Sequence, residues 1–253
     1  MPTWYSPYNI TNKPPRVKQL LSFLLSALAL PSYGQNFSYP TLKAKGQRLT
    51  DFVPSGWTIH NSATGDLNKD GLPDAALVLQ HKATVTLTDS EGQVVKSQPR
   101  ILAILLKSEG TGGFELKEQS NSFIPEDQDL EDDSEELNDP FLRIEIKRGV
   151  LELTFQESYK TSTTYSTATG YKFRYNGTDF QLIGADFART HRKHFELEQY
   201  SYNFLTKKRI YSKGKIGGSM TSSAPKSLAL PTLKTLKTLK ALNGWEIEPD
   251  VAL

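Results

Sequence analysis

Oxygen-bearing side chains recur at short and regular spacing in one segment of the chain. Asp66, Asn68 and Asp70 occupy alternate positions, Gly71 follows them, and Asp74 completes the pattern D-x-N-x-D-G-x-x-D. Alternating carboxylate and amide oxygens suit Ca²⁺, and the glycine lets the chain reverse around the ion. The predicted calcium ligands are the side chains of Asp66, Asn68, Asp70 and Asp74 and the backbone carbonyl of Leu72.

The same loop has a second interpretation, as a turn rich in Asp and Asn that binds no metal. A bound calcium ion, in turn, would either be structural, fixing the loop before a strand, or bridge the protein to another ligand. An EF-hand is excluded, because its twelfth position needs a bidentate glutamate and here carries Leu77. Zinc is not expected, since the loop contains neither His nor Cys.

The loop resembles the calcium loops of FG-GAP and VCBS repeats, in which G-D-x-N-x-D-G-x-x-D leads into an apolar strand. The resemblance covers residues 63–80 and occurs once. The family's loops belong to β-propeller blades, so the resemblance implies a β-rich fold and calcium. A full propeller would need several copies of the repeat, which the chain lacks.

The wider pattern is also similar to exported bacterial proteins that carry a single loop of this kind. An aromatic-Gly element precedes the loop at residues 52–57, and the segments 171–175 and 180–184 resemble later strands of that group. This resemblance implies export, calcium and a β-rich fold, and it implies no activity.

Alternation of apolar and polar residues dominates the chain from residue 140 onward and predicts paired strands. Three hairpin regions follow one another, at residues 142–155 around Arg148-Gly149, at 171–182 around Asn176-Gly177, and at 195–208. Upstream, the continuous apolar runs 75–79 and 101–106 suit central strands that are covered on both faces. The predicted fold class is mainly β, an antiparallel meander or sandwich-like sheet or a partial propeller.

The N-terminal residues 1–34 have the order of a signal peptide: basic residues, the apolar run 20–30, and small residues before Gln35. Removing this segment changes the formal net charge from +2 to −1. No later apolar run is long enough to span a bilayer. The sequence therefore predicts a protein of the periplasm or cell exterior, without a transmembrane segment and without affinity for nucleic acid.

Two oppositely charged blocks stand apart in the sequence. Residues 126–139 contain nine acids, and residues 207–240 contain nine bases and no acid. The acidic block has few apolar residues to bury and is expected to form a solvated loop, with a second, loose calcium site as an alternative. The predicted domains are the signal peptide 1–34, a β-rich domain 35–212, and a basic, low-complexity, irregular C-terminal extension 213–253. A helix over 228–242 is the best helical candidate.

No catalytic constellation is visible in the sequence. His191 and His194 lie three positions apart without the glutamate of a zincin, and there is no Cys and no G-x-S-x-G. The primary hypothesis is an exported, calcium-stabilised binding or structural module with a protein or glycan partner. The alternative is an extracytoplasmic hydrolase, or a modulator of one, whose site is scattered in sequence. Neither the ligand nor the oligomeric state follows from the sequence.

Overall fold

The computed structural model describes the part of the chain that follows the expected signal peptide, with short gaps. The described residues are 37–88, 94–110, 112–125, 127–129, 139–158, 164–239 and 241–253. Residues 34–253 form one compact unit. The predicted signal peptide and most of the acidic block lie outside the described residues.

The described chain consists mainly of antiparallel β-strands, as the sequence predicts. The first nine strands are β1 (Lys45–Gly46), β2 (Trp57–Gly65), β3 (Asp74–His81), β4 (Val85–Thr88), β5 (Val94–Gln98), β6 (Arg100–Lys107), β7 (Phe114–Ser120), β8 (Asp127–Asp129) and β9 (Phe141–Lys147). The others are β10 (Val150–Ser158), β11 (Tyr165–Tyr175), β12 (Phe180–His191), β13 (Glu196–Asn203), β14 (Lys208–Lys215), β15 (Met220–Ser222), β16 (Lys226–Ser227), β17 (Glu246–Glu248) and β18 (Val251–Ala252). The described helices are a 3₁₀ turn, Leu49–Phe52, and α1 (Leu236–Leu239).

Two large sheets carry the fold. The five-stranded sheet has the order β1-β7-β6-β3-β2, and the eight-stranded sheet is a meander from β9 to β15 with β16 also paired to β14. Two small sheets, β4-β5-β8 and β17-β18, complete the described strands. The arrangement is a sandwich-like packing of antiparallel sheets and confirms the predicted fold class.

The main core lies between the two large sheets. One face of β3 and β6 contributes Ala76, Val78 and Ile104, which pack with the inward side chains of the eight-stranded sheet. The opposite face, with Leu77 and Leu79, packs against the N-terminal segment in a second cluster. Strands β3 and β6 are therefore buried on both faces, which is why their sequences are continuously apolar.

The hairpin of β9 and β10 forms as predicted, with one difference at its open end. Arg148 and Gly149 both have positive φ, 53° and 75°, and make the tight turn. The register shifts by one residue where Phe155 pairs with Phe141. This bulge places Phe141 in the core and leaves Leu142 exposed, whereas simple alternation predicts Leu142 on the buried face.

The C-terminal residues pack on the same core as the β-rich region. The predicted boundary at residue 212 falls inside β14. Of the residues that the structure describes in the expected helix 228–242, Leu236–Leu239 are helical. Four side chains of the C-terminal segment 213–253 are buried in the main core: Leu236, Leu239, Val251 and Leu253. Leucines that recur every three residues do not hold one helical stripe, but they still supply apolar contacts to a sheet.

Candidate functional site: the loop between β2 and β3

The predicted calcium loop connects β2 to β3, and its own side chains shape it. The Asp66 carboxylate accepts hydrogen bonds from the backbone N–H groups of Lys69, at 2.6 Å, and Gly71, at 3.0 Å. Asn68 Oδ1 accepts from Asp70 N at 3.1 Å, so successive Asx turns coil the chain. Two positive-φ residues, Lys69 and Gly71, complete the reversal.

Asp70 continues this pattern on the exposed side of the loop. Its Oδ1 accepts a hydrogen bond from Leu72 N at 2.8 Å, and its Oδ2 accepts one from Asn68 Nδ2 at 2.7 Å. The loop therefore brings the Asn68 and Asp70 side chains together, as the alternating sequence pattern predicts. The oxygens of Asp66, Asn68 and Asp70 have the chemistry of calcium ligands and retain lone pairs that the loop does not use.

Asp74 has a different position from the other acids. It is fully buried at the start of β3, where Oδ2 accepts from Leu67 N at 2.7 Å and from Asn68 N at 3.3 Å. Its Oδ1 accepts from Lys107 N at 2.8 Å, which connects the loop to the end of β6. Burial raises the pKa of the Asp74 carboxyl, although these three hydrogen bonds act in the opposite direction. Asp74 thus anchors the base of the loop to the sheet.

The loop also lies at the junction between the two large sheets. Leu67 inserts its side chain into the main core. A Cβ atom added to Gly149, in the β9–β10 turn, would lie 3.6 Å from the backbone oxygen of Asp66. At the end of β2, a Cβ atom on Gly65 would lie only 2.6 Å from Cγ2 of Ile146 on β9. The loop therefore lies in close contact with both large sheets.

Calcium at this loop remains a prediction. Within the described ranges, no group of three or more His, Cys, Asp or Glu side chains is arranged to hold a metal ion. The set that fits calcium by chemistry consists of two acids, Asp66 and Asp70, together with Asn68 and the Leu72 carbonyl. Asp74, also predicted as a ligand, differs from Asp66 in being fully buried, and its oxygens accept hydrogen bonds from three backbone N–H groups.

The histidines occupy structural positions. His191 Nδ1 accepts hydrogen bonds from the backbone N–H groups of Lys193 and His194, and the two imidazole rings lie 4.4 Å apart. His81 Nδ1 lies 2.7 Å from the carbonyl oxygen of Ala83, and His60 Nε2 lies 3.7 Å from Asp139 Oδ2. These contacts fit stabilisation of turns and strands.

A groove that the sequence analysis does not predict crosses the outer face of the eight-stranded sheet. Its volume is about 360 Å³, and its lining includes the small residues Ala168, Gly170 and Ala188. Asp186 in the groove pairs with Lys172 and accepts a hydrogen bond from Ser201 Oγ at 2.8 Å. Small residues at outward positions of neighbouring strands are the sequence feature that could reveal such a groove. Their alignment depends on strand register, which a single sequence does not supply.

Comparison with known proteins gives no relative for this chain: no protein-family model, no curated protein and no solved structure matches it. In the part of the chain that the structure describes, no helix is long and apolar enough to cross a membrane.

Proposed function

We propose that this protein is an exported, calcium-stabilised binding or structural module. The observation that carries the proposal is the position of the 66–74 loop. It brings Asn68 and Asp70 into contact, with Asp66 in the same loop, and it packs against the Gly149 turn of the other sheet. An ion in this loop would fix the junction on which the sandwich depends.

Asp66, Asn68, Asp70 and the Leu72 carbonyl would hold the ion, in keeping with the FG-GAP/VCBS-like pattern. Calcium would supply positive charge to a loop that carries three carboxylates within nine residues. Asp74 would keep its position at the base, where its hydrogen bonds hold the loop in register with β3 and β6. A weak site would suit the periplasm or cell exterior, where calcium is abundant.

A hydrolase is the alternative function, and the groove on the eight-stranded sheet is the place that would favour it. Two acids line that groove, Glu152 and Asp186. Asp186 is committed to Lys172 and Ser201, which hold it as part of an ion pair. Asp186 Oδ2 contacts Lys172 Nζ and Asp186 Oδ1 accepts from Ser201 Oγ, so both oxygens already have partners within the groove. The arrangement therefore supports a binding or structural module better than a hydrolase.

Thermal unfolding of the purified protein tests the proposal. Calcium at about one hundred times its Kd should stabilise the native state by about 2.7 kcal/mol, or roughly 5–10 °C in Tm. Asp66→Ala and Asp70→Ala should abolish this shift, because each removes a carboxylate ligand. Glu109→Ala, at an exposed turn outside the loop, is the matched control and should keep it.

Two results would contradict the proposal. One is a Tm that does not change between calcium and a chelator. The other is an equal calcium shift in the native protein and in Asp66→Ala and Asp70→Ala, which would place the ion elsewhere. Magnesium at the same concentration should shift the Tm less, since it needs a near-ideal octahedron that a loop of this kind does not offer.

A further inference from the structure

Exposed apolar side chains gather at one end of the eight-stranded sheet. The turn between β12 and β13 and the turn between β14 and β15 lie side by side there, and Ile216 N donates a hydrogen bond to Phe195 O at 2.9 Å. Phe195 is 59% exposed, Ile216 is 56% exposed, and Tyr165, at the start of β11, is 44% exposed. Among the described residues these are three of the six large apolar side chains with such exposure.

Phe195 adopts a backbone conformation that disfavours its own side chain. Its φ is 55°, in the left-handed region, where bulky residues are rare because Cβ approaches the following carbonyl. The residue is 59% exposed at the end of the sheet, so it gains much less burial than a core aromatic side chain. A strained, exposed aromatic residue at a hairpin tip indicates a binding role, because neither packing nor turn geometry favours it.

Cationic side chains surround these apolar tips. Arg192 and Lys193 occupy the β12–β13 turn beside Phe195, and Lys215 precedes Ile216. Among the described acids near this end, Glu196 lies 3.9 Å and Glu198 3.7 Å from Lys213. The end of the sheet therefore presents apolar tips within a predominantly basic rim.

We propose that this end of the sheet binds the surface of an anionic lipid bilayer. Aromatic and aliphatic side chains that project from a convex tip can enter the headgroup region, where amphipathic rings are favoured. The lysines and the arginine would lie at the level of the lipid phosphates and add electrostatic attraction. A stable protein–protein interface usually buries about 1,200–2,000 Å² in total, which calls for a broader surface than the tips of two turns.

This inference deepens the proposed function, because it names a lipid bilayer as the partner of the binding module. It rests on the proposed function only in placing the chain outside the cytoplasm. It does not depend on calcium. A chelator should leave bilayer binding unchanged while it abolishes the calcium-dependent rise in Tm, so the two proposals can fail separately.

The test is co-sedimentation of the chain from Gln35 onward with vesicles, since residues 34–253 form a compact unit with their own core. Vesicles of phosphatidylglycerol and phosphatidylcholine provide the anionic surface, and phosphatidylcholine alone provides the neutral one. The double variant F195N/I216S removes both apolar tips, and Asn tolerates a positive φ. Lys193→Glu with Lys215→Glu reverses the charge of the rim.

Leu205→Ser is the matched control. Leu205 is 50% exposed at the opposite end of the β13–β14 hairpin, beside Lys207, so its loss removes a comparable apolar side chain in a comparable basic setting. We expect the native protein and L205S to bind anionic vesicles equally. Both tip variants should bind at least about tenfold more weakly. Unchanged circular dichroism spectra would show that the variants remain folded.

Four outcomes would overturn the proposal. The first is no preference of the native protein for anionic over neutral vesicles. The second is full binding by F195N/I216S. The third is an equal loss of binding in L205S and in F195N/I216S. It would mean that exposed apolar side chains anywhere on the surface cause association, and not those at this end of the sheet. If heparin displaces the native protein from vesicles and F195N/I216S binds heparin normally, the surface is a polyanion site and not a lipid site.

Discussion

Arg100 and Asp139 form a bidentate ion pair that joins the two halves of the sandwich. Arg100 Nη1 and Nη2 donate to Asp139 Oδ1 and Oδ2, each at 2.6 Å, and Arg100 Nε donates to Gln80 Oε1 at 2.9 Å. The Arg100 side chain is fully buried at the start of β6, whereas Asp139, just before β9, is 30% exposed. The last acid of the sequence's acidic block is thus a structural partner of the five-stranded sheet.

Because Arg100 is more deeply buried than Asp139, removing either partner should lower the free energy of unfolding by a different amount. Asp139→Asn leaves the Arg100 guanidinium buried without a counter-charge and should destabilise the protein by about 3–5 kcal/mol. Arg100→Met leaves a carboxylate that water can reach, so the cost should be smaller. Urea unfolding of the two variants measures this order. A larger loss for Arg100→Met would show that Asp139 is less hydrated than its exposure indicates.

Gly65, directly before the loop, predicts a steric effect at the junction of the sheets. A Cβ atom there would lie 2.6 Å from Ile146 Cγ2 and 3.1 Å from Ile146 Cβ. Gly65→Ala should therefore destabilise the protein by about 1–3 kcal/mol, since a packed side chain and its strand must shift. Gly110→Ala, at a position with open space and no positive φ, should be near neutral in the same denaturant series.

A double-mutant cycle separates this steric effect from a general effect of losing glycine. Ile146→Ala removes the atom that the new Cβ would meet, so Gly65→Ala should cost less in that background. An unchanged cost would contradict the contact between β2 and β9 as its cause.

The sequence predicts the strands of this protein better than their exact faces. Alternation identifies β9 and β10, and the apolar runs identify β3 and β6 as doubly buried strands, because each signal is local. The bulge that exposes Leu142 depends on pairing between β9 and β10, which alternation alone does not encode. The groove around Gly170 depends on the register of several strands in the same way.

The candidate loop shows the same limit. Its Asx turns follow from residue types and spacing alone, so the pattern correctly brings Asn68 and Asp70 together. The position of Asp74 does not follow, because its partner Lys107 N is 33 residues away and is brought close only by the pairing of β3 with β6. Similarly, the burial of Leu236 depends on a sheet that is distant in sequence.

The buried leucines of the C-terminal segment predict that it is part of the folded unit. Leu236 is 1% exposed in the main core, so Leu236→Ala should destabilise the whole domain by about 2–5 kcal/mol. Leu205→Ala, at an exposed turn, is the matched control and should change stability by less than about 0.5 kcal/mol. Equal unfolding midpoints for the two variants would show that residues 213–253 do not contribute to the cooperative core.

Glu118 predicts a specific pH dependence of stability. Burial raises the pKa of its carboxyl above the usual value of 4.5, and Lys237, at 3.6 Å, only partly opposes this. Between 4.5 and the raised pKa, the folded state holds a proton that the unfolded state has released, so stability falls as pH rises through that window. Glu118→Gln removes the titration and should flatten this part of the profile.

Glu115, on the same strand, is a control whose effect on stability should depend on pH in the opposite direction. Its contact with Lys117 lowers the pKa of the Glu115 carboxyl, so its contribution is present above the usual value and is lost as pH falls. Chemical unfolding between about pH 3 and about pH 7 should separate Glu118→Gln from Glu115→Gln by the direction of change. The same direction in both variants would contradict the assigned environment of Glu118.

The backbone conformation of Phe195 predicts that replacing it can raise stability while it weakens binding to vesicles. Glycine adopts φ near 55° without a steric cost, so Phe195→Gly should stabilise the protein by about 0.5–1 kcal/mol even though it removes a large side chain. Phe195→Ala is the matched control: it removes the same exposed ring but keeps a Cβ in the left-handed region, and it should bring no gain. Urea unfolding compares the two variants, and both should bind anionic vesicles more weakly than the native protein. A stability gain of equal size in Phe195→Ala would show that exposure of the ring, and not its backbone conformation, is the source of the strain.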